Sequence, residues 1–341
     1  IASAAPLPLD IARPRAVAAW LLGVAALVFL MVVVGGITRL TESGLSITRW
    51  DVVSGTLPPL TQAEWQRQFA LYQQSSQYQL MNAGMSLAEF KGIFFWEYVH
   101  RLLGRLVGLA YALPLAWFWL KRQIPTGYKG RLLALLALGG LQGAIGWWMV
   151  ASGLTGRTEV APERLAVHLS NALLIMAGCV WTALDLRRGP GAAADRPRAW
   201  VWPFAALLAV QIVWGAFVAG MRAGHASDTW PLMFGQWVPD GLAETLADWV
   251  HSPVAAHFLH RSLAYAVAAA AILIAIRLWR AGAGVRALAL GGAVLAQFLL
   301  GVAVVVNHVP IVLGVLHQAN AALLVAATVW CAHWAVRGAR A

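Results

Sequence analysis

Hydrophobic and polar positions along the chain fall into long blocks, with neither the strict alternation of a half-buried strand nor the narrow stripe of a surface helix. Apolar runs of about 20 residues, enough to cross a hydrocarbon core as helix, occur eight times. They lie at roughly 16–36, 93–120, 131–151, 163–186, 200–220, 254–279, 286–307 and 311–336. The pattern predicts an all-α integral membrane protein with eight transmembrane helices. Arg13 and Arg15 precede the first run as they would a signal peptide. That run is longer than a usual signal core and no small-residue cleavage site closes it, so it reads as a span. The polar, Pro/Gly-rich segment RRGPGAAADRPRA at 187–199 reads as a cytoplasmic linker between two halves, 1–186 and 200–341. The longest polar segment, 37–92, contains TQAEWQRQFALYQQSSQYQLM (61–81), whose aromatic and polar spacing predicts one short amphipathic helix at the membrane interface.

Composition agrees: 60% of the 341 residues are hydrophobic and 11% are charged, against about 25% charged in soluble domains. The net charge of +11 would suit a nucleic-acid partner only if the cations were clustered, and they are not. With the N-terminus inside, fifteen Lys and Arg fall on the cytoplasmic side and seven (Arg39, Arg49, Arg67, Lys91, Arg157, Arg164, Arg222) outside. That asymmetry follows the positive-inside rule, places both termini in the cytoplasm and excludes nucleic acid. Arg outnumbers Lys 22 to 3 and Ala is abundant, which favours a bacterial cytoplasmic membrane over a mitochondrial inner membrane. Cys179 and Cys331, the two cysteines, lie deep in predicted spans and read as small buried hydrophobes rather than an outer disulfide.

The chain is also one set of positions written twice. Gly35, Gly44, Trp50 and Pro59 match Gly215, Gly224, Trp230 and Pro239 at an offset of 180. EYVHRLLGRLVGLAYA (97–112) resembles HFLHRSLAYAVAAA (257–270), aligning His100 and Arg101 with His260 and Arg261. Gln142 and Gly146 match Gln297 and Gly301, and His168-x-x-Asn171 with Trp181 matches His317-x-x-Asn320 with Trp330. Each half holds four helices, an even number, so both enter the membrane in the same direction. The expected architecture is a parallel repeat: two pseudo-twofold-related four-helix bundles.

Topology then brings chemistry to one face. Helices 2, 4, 6 and 8 start outside, and each carries a histidine in its first two predicted turns: His100, His168, His260 and His317. The second and fourth helices of a bundle can face each other, so each half can offer one histidine pair. Two imidazoles from facing helices are what a haem iron takes as axial ligands. Taken singly, such a histidine reads as a cap or an interfacial residue; four at matched depth read as ligands. No carboxylate or cysteine cluster accompanies them, which disfavours zinc and di-iron sites. Arg101, Arg105 and Arg261 stand where guanidinium groups can pair with haem propionates or snorkel to lipid phosphates. The halves differ three residues before the first histidine: Glu97 in one, His257 in the other. A carboxylate there either pairs with Arg101 or Arg105 or handles protons at a reacting group. The second role is preferred and makes the first half the chemical site. His225, His251, His308 and His333 have no repeat partner and read as structural or loop residues.

The ordered set E-x-x-H-R (97–101), H-x-x-N (168–171), H-x-x-H-R (257–261) and H-x-x-N (317–320) on eight duplicated helices resembles haem A synthase. GGITRLTESGLSITRWDVVSGTLPP (35–59) is similar to that family's first outer segment. The resemblance spans essentially the whole chain. It implies an oxidoreductase that converts haem O to haem A by successive hydroxylations of a ring methyl to a formyl group, supplying haem-copper oxidases. It further implies a haem b held by His260 and His317 for electron transfer. The substrate haem would lie at His100 and His168, with Glu97 at the chemistry. Haem O is then the substrate, with haem O synthase and a membrane or quinone electron acceptor as candidate partners and a homo-oligomer admitted. Outer-loop cysteine pairs found in some members are missing here, which resembles the proteobacterial and mitochondrial branch. The rival readings are a non-catalytic di-haem cytochrome b-like electron carrier, which uses the same histidines but gives Glu97 no role, and a transporter or haem-delivery protein.

Overall fold

The computed structural model describes residues 12–51, 54–188 and 198–337; the 187–199 linker therefore lies for the most part outside the described residues. The described chain is helical, with no strand beyond one isolated bridge between Met233 and Gln236. In order the helices are α1 (Pro14–Leu40), α2 (Gln62–Tyr72), α3 (Ser76–Met81), α4 (Leu87–Leu120), α5 (Lys129–Ala151), α6 (Pro162–Arg187), α7 (Val201–Gly220), α8 (Asp248–His251), α9 (Pro253–Arg280), α10 (Gly284–Val306) and α11 (Ile311–Arg337). Eight of these, α1, α4–α7 and α9–α11, are long and apolar enough to cross a membrane.

Local sequence sets where the spans begin. Ser86 and Glu89 form a capping box ahead of α4, Ser252 caps α9 just before Pro253, and Pro162 opens α6. The Ser86 box starts α4 six residues before the apolar run that predicts it. The helix has 34 residues, about 51 Å of helix against a hydrocarbon core of about 30 Å. Its surplus lies at the histidine-bearing end, where Phe90 and Phe94 bury against Tyr72 with Trp65, Phe69 and Tyr78 around them. The single amphipathic helix expected at 61–81 is two helices, α2 and α3, because the Ser75 hydroxyl accepts from the Tyr78 N–H and restarts the chain after Tyr72. The pair docks on α4 through this aromatic cluster.

Within the first half, α1 packs on α4 and α6, and α5 on α6 and, more slightly, on α4; α4 and α6 are not closely packed and sit across from one another. In the second half α7, α9, α10 and α11 follow the same order of neighbours. Exchanging the halves turns the α1–α11 contact between them into α6–α7, and α6 also packs on α11. The exchange is unequal in two places: α1 packs extensively on α6 whereas α7 touches α11 slightly, and α9 packs extensively on α10 whereas α4 touches α5 slightly. Lipid tails offer no hydrophobic drive between helices, so close backbone approach and buried hydrogen bonds hold them. The Gln318 side chain donates to the Val32 carbonyl at 2.7 Å and Trp20 to that of Ala110 at 2.8 Å, while the Tyr111 hydroxyl donates to Leu132 at 2.8 Å.

Ion clusters tie the halves at both ends. At the histidine end Arg39 meets Glu159 at 2.8 Å and donates to the Ala219 carbonyl, while Arg222 pairs with Glu42 and Glu159. At the opposite end Asp185 of α6, 6% exposed, accepts from Arg131 of α5 and from His333 and Arg337 of α11. His333 is thus an inter-half contact. Removing one partner of a buried ionic cluster leaves the others uncompensated, at a cost of about 3 kcal/mol. Asp185→Ala is expected to lower the thermal unfolding midpoint of the detergent-solubilised protein accordingly; an unchanged midpoint would assign the cohesion of the halves to apolar packing alone.

Candidate functional site

The four sequence-selected histidines sit on α4, α6, α9 and α11, all half-buried. His168, His260 and His317 lie in the first two turns of their helices, as expected. His100 lies deeper into α4 because that helix starts earlier. Each ring rests on the backbone of a neighbouring span at a glycine. A methyl group added at Gly146, Gly215 or Gly301 would stand 3.0 Å from Cε1 of His168, His260 or His317; at Gly35 it would stand 3.4 Å from Cε1 of His100. The repeat-matched glycines Gly35/Gly215 and Gly146/Gly301 therefore exist to let an imidazole in.

A glutamine flanks three of the rings. The Nε2 of Gln142 lies 3.2 Å from His168 Nδ1, that of Gln211 3.2 Å from His260 Nδ1, and that of Gln297 3.3 Å from His317 Nδ1. Asn171 donates to Gln142 Oε1 at 2.7 Å and to the Leu138 carbonyl; Asn320 donates to Gln297 Oε1 at 2.8 Å and to the Ala293 carbonyl. The H-x-x-N motif thus acts through the glutamine, which returns to the histidine. Gln142 and Gln297 are visible in the repeat, but Gln211 escapes sequence comparison because its counterpart at the same offset is Met31.

His260 and His317 face each other with ring centroids 6.5 Å apart and planes at 78°. Two imidazoles on opposite sides of one iron need about 6 Å, from two metal–nitrogen bonds of about 2 Å and the two ring radii. The same region holds buried polar atoms without a hydrogen-bond partner among the described residues: Arg261 Nη1, His257 Nδ1, Trp214 Nε1 and Gln211 Oε1. A facing pair of imidazoles, a glycine-lined cradle and an unpaired guanidinium nitrogen fit a haem with its propionates. His100 and His168 are within electrostatic reach of each other but make no ring contact among the described residues.

Glu97 is 3% exposed and fully engaged. Its Oε2 accepts from the Ser46 hydroxyl and the Ile47 N–H, each at 2.7 Å, and its Oε1 accepts from Arg101 Nε and Nη2 at 3.0 and 2.6 Å. Arg101 also donates to the carbonyls of Ile47 and Arg49. Of the two sequence readings of Glu97, the ion pair with Arg101 is present. Arg101 spends its donors on Glu97 and the outer segment, so it is poorly placed for a propionate. Arg105 donates to the Asp51 carbonyl at 2.7 Å, and Arg261 to those of Pro231 and Leu232 at 3.2 Å. His257, in the place of Glu97, is buried and bonds the backbone of Ala223. In both halves, then, the residues beside the first histidine strap down the segment leaving the preceding helix. Cys179 and Cys331 are buried and free.

Residues 18–329 match the profile of a family described as cytochrome oxidase assembly protein. The chain belongs to that family. Among curated relatives it is similar to a protein named haem A synthase from Sphingopyxis alaskensis, 51% identical over 327 residues covering 94% of this chain and 92% of the relative. A haem A synthase from Rhizorhabdus wittichii is 51% identical over 336 residues, covering 97% and 96%. One from Rhodospirillum centenum is 47% identical over 332 residues, covering 94% and 89%. Eight spans and the doubled histidine motif therefore occur in a chain whose similarity to these proteins is nearly end to end.

Replacing Arg101 leaves Glu97 buried with no cation and frees the segment 46–49. Arg101→Ala should cost about 3 kcal/mol and raise amide exchange in residues 41–51 before any other part of the first half. Exchange that stays at the wild-type level there would show that the segment is held by other contacts.

Proposed function

We propose that this protein is a haem A synthase, an oxidoreductase that carries a ring methyl of haem O to the formyl group of haem A for the assembly of cytochrome oxidase. The near full-length similarity to proteins of that name supports the reaction. The single geometric observation that carries the site is the facing His260–His317 pair, 6.5 Å between centroids.

In this reading the half 200–341 binds a resident haem b and the half 1–186 takes haem O as substrate. His260 and His317 would hold the resident group, and Arg261, with its buried unpartnered Nη1, would meet a propionate. When bound, a bis-histidine haem b supplies one-electron transfer. The substrate is held by His100 and His168. Methyl to formyl with water as the oxygen donor releases four electrons and four protons, so electrons leave through an acceptor in or at the membrane, of which a quinone is one candidate. A ring methyl is a very weak acid, so its activation draws on electron removal from the conjugated ring, and positive charge develops there. Glu97, one turn before His100, contributes a fixed negative charge at that place. Its oxygens are already engaged by Ser46, Ile47 N–H and Arg101, which favours electrostatic stabilisation over proton abstraction and keeps the charge from moving. The histidines face the outer side of a bacterial cytoplasmic membrane in this reading, with both termini inside.

Glu97→Gln should retain the haem spectrum while haem extracted from membranes supplied with haem O shows no haem A. Wild-type haem A in that variant would remove Glu97 from the chemistry, and haem b alone from the wild-type protein would instead describe a di-haem electron carrier. His260→Ala or His317→Ala should abolish the low-spin haem spectrum of the purified protein.

A further inference from the structure

Four stretches place a side chain one turn before the glycine on which a histidine rests: QGAIG (142–146), QIVWG (211–215), QFLLG (297–301) and MVVVG (31–35). Positions i and i+4 share a helix face, so the first residue of each stretch lies beside the ring that the glycine admits. In three cases it is glutamine, in contact with the ring at 3.2 to 3.3 Å. In the fourth it is Met31, whose Cε instead lies 3.4 Å from where a Cβ of Gly104 would stand. His100 consequently has no hydrogen-bond partner among the described residues, and it also has the loosest glycine contact, 3.4 Å against 3.0 Å for the other three. The restraint is graded. His168 and His317 are held by a glutamine that an asparagine fixes, His260 by a glutamine alone, and His100 by neither.

We infer that His100 is a displaceable ligand, and that Met31, standing where the other three sites have glutamine, makes the first-half site exchangeable while the second-half site is closed. The inference rests on the assignment of the histidine pairs proposed above. The glutamine Nε2–H donates to the ring nitrogen that carries no proton, and for Gln142 and Gln297 both ring nitrogens lie within 3.1 to 3.4 Å, so turning the ring breaks the contact with the carboxamide. Outer-shell contacts to ligating histidines fix ring orientation. A resident haem profits from two such ligands. A haem that must enter as substrate and leave as product needs one ligand that lets go, with the other keeping its place. His168, with Gln142 and Asn171 behind it, is the fixed ligand of that pair. Gln142, Gln211 and Gln297 are positioning residues and act through the histidines.

Carbon monoxide tests this, because it binds reduced haem iron only where an axial ligand yields. The probe is carbon monoxide titrated into the dithionite-reduced, haem-loaded full-length protein. A second readout is the rate at which haem passes to an excess of apomyoglobin. In wild type, one haem should bind carbon monoxide and leave for apomyoglobin, and the other should do neither. Met31→Gln should weaken carbon monoxide binding and slow haem loss about tenfold, the low end of outer-shell effects on metal affinity. The reciprocal Gln211→Met should make the second haem reactive as well. Both haems reactive, both inert, or unchanged reactivity in Met31→Gln and Gln211→Met alike would overturn the inference with the pairs still in place. If instead a low-spin bis-imidazole spectrum persists in His260→Ala and His317→Ala, the pair assignment itself has failed and the inference falls with it.

Discussion

An imidazole lowered into hydrocarbon must be given both room and polar company; the fold gives room four times with one device and a glutamine partner three times. Each ring lies on the bare backbone of an adjacent span at a glycine, and at Gly146, Gly215 and Gly301 an added methyl would crowd the ring at 3.0 Å. Helix order, repeat spacing and the facing of α9 and α11 follow from keeping those contacts. The caps at Ser86, Ser252 and Pro162 set how far each helix runs before its histidine arrives. The ion clusters around Glu159 and Asp185 hold the two sets of contacts in one frame.

The duplicated halves share this device and differ in what surrounds it. Beside the first histidine of each half stands an acid in one case and a base in the other: Glu97 bound to Arg101 and the outer segment, His257 buried with one nitrogen unpartnered. Behind the rings, glutamine gives way to methionine once in four. These are small departures from symmetry, and they fall on the same half. On the proposed assignment, the second half would hold its haem and the altered first half would turn its haem over.

Much of this was legible in the sequence because membrane helices announce themselves by length, and because a repeat aligned against itself exposes positions that a single copy hides. His100, His168, His260 and His317 stood out for that reason, as did Gly146 and Gly301. Other features depended on packing across distant segments. Gln211 has no glutamine at the matching position, so self-comparison passes over it. The Glu97–Ser46–Ile47–Arg101 network joins residues some 50 apart in the chain. The early start of α4 is set by a polar capping box outside the apolar run, so hydropathy places the boundary too late. The break between α2 and α3 rests on one serine, where periodicity sees a single helix. His333 reads as bland by itself because its partner, Asp185, is 148 residues away.

Four spans per half, an even number, make both halves enter the membrane in the same direction, and on the proposed assignment the two histidine pairs would then lie at one level. An electron passed between them would travel parallel to the bilayer plane. Moving a unit charge across the whole membrane is worth about 2.3 kcal/mol per 100 mV, but a lateral step crosses almost none of that drop. On the proposed assignment a parallel repeat would make internal electron transfer electrically silent, its direction set by the relative potentials of the two sites. An inverted repeat with the same ligands would have tied the same step to the membrane voltage.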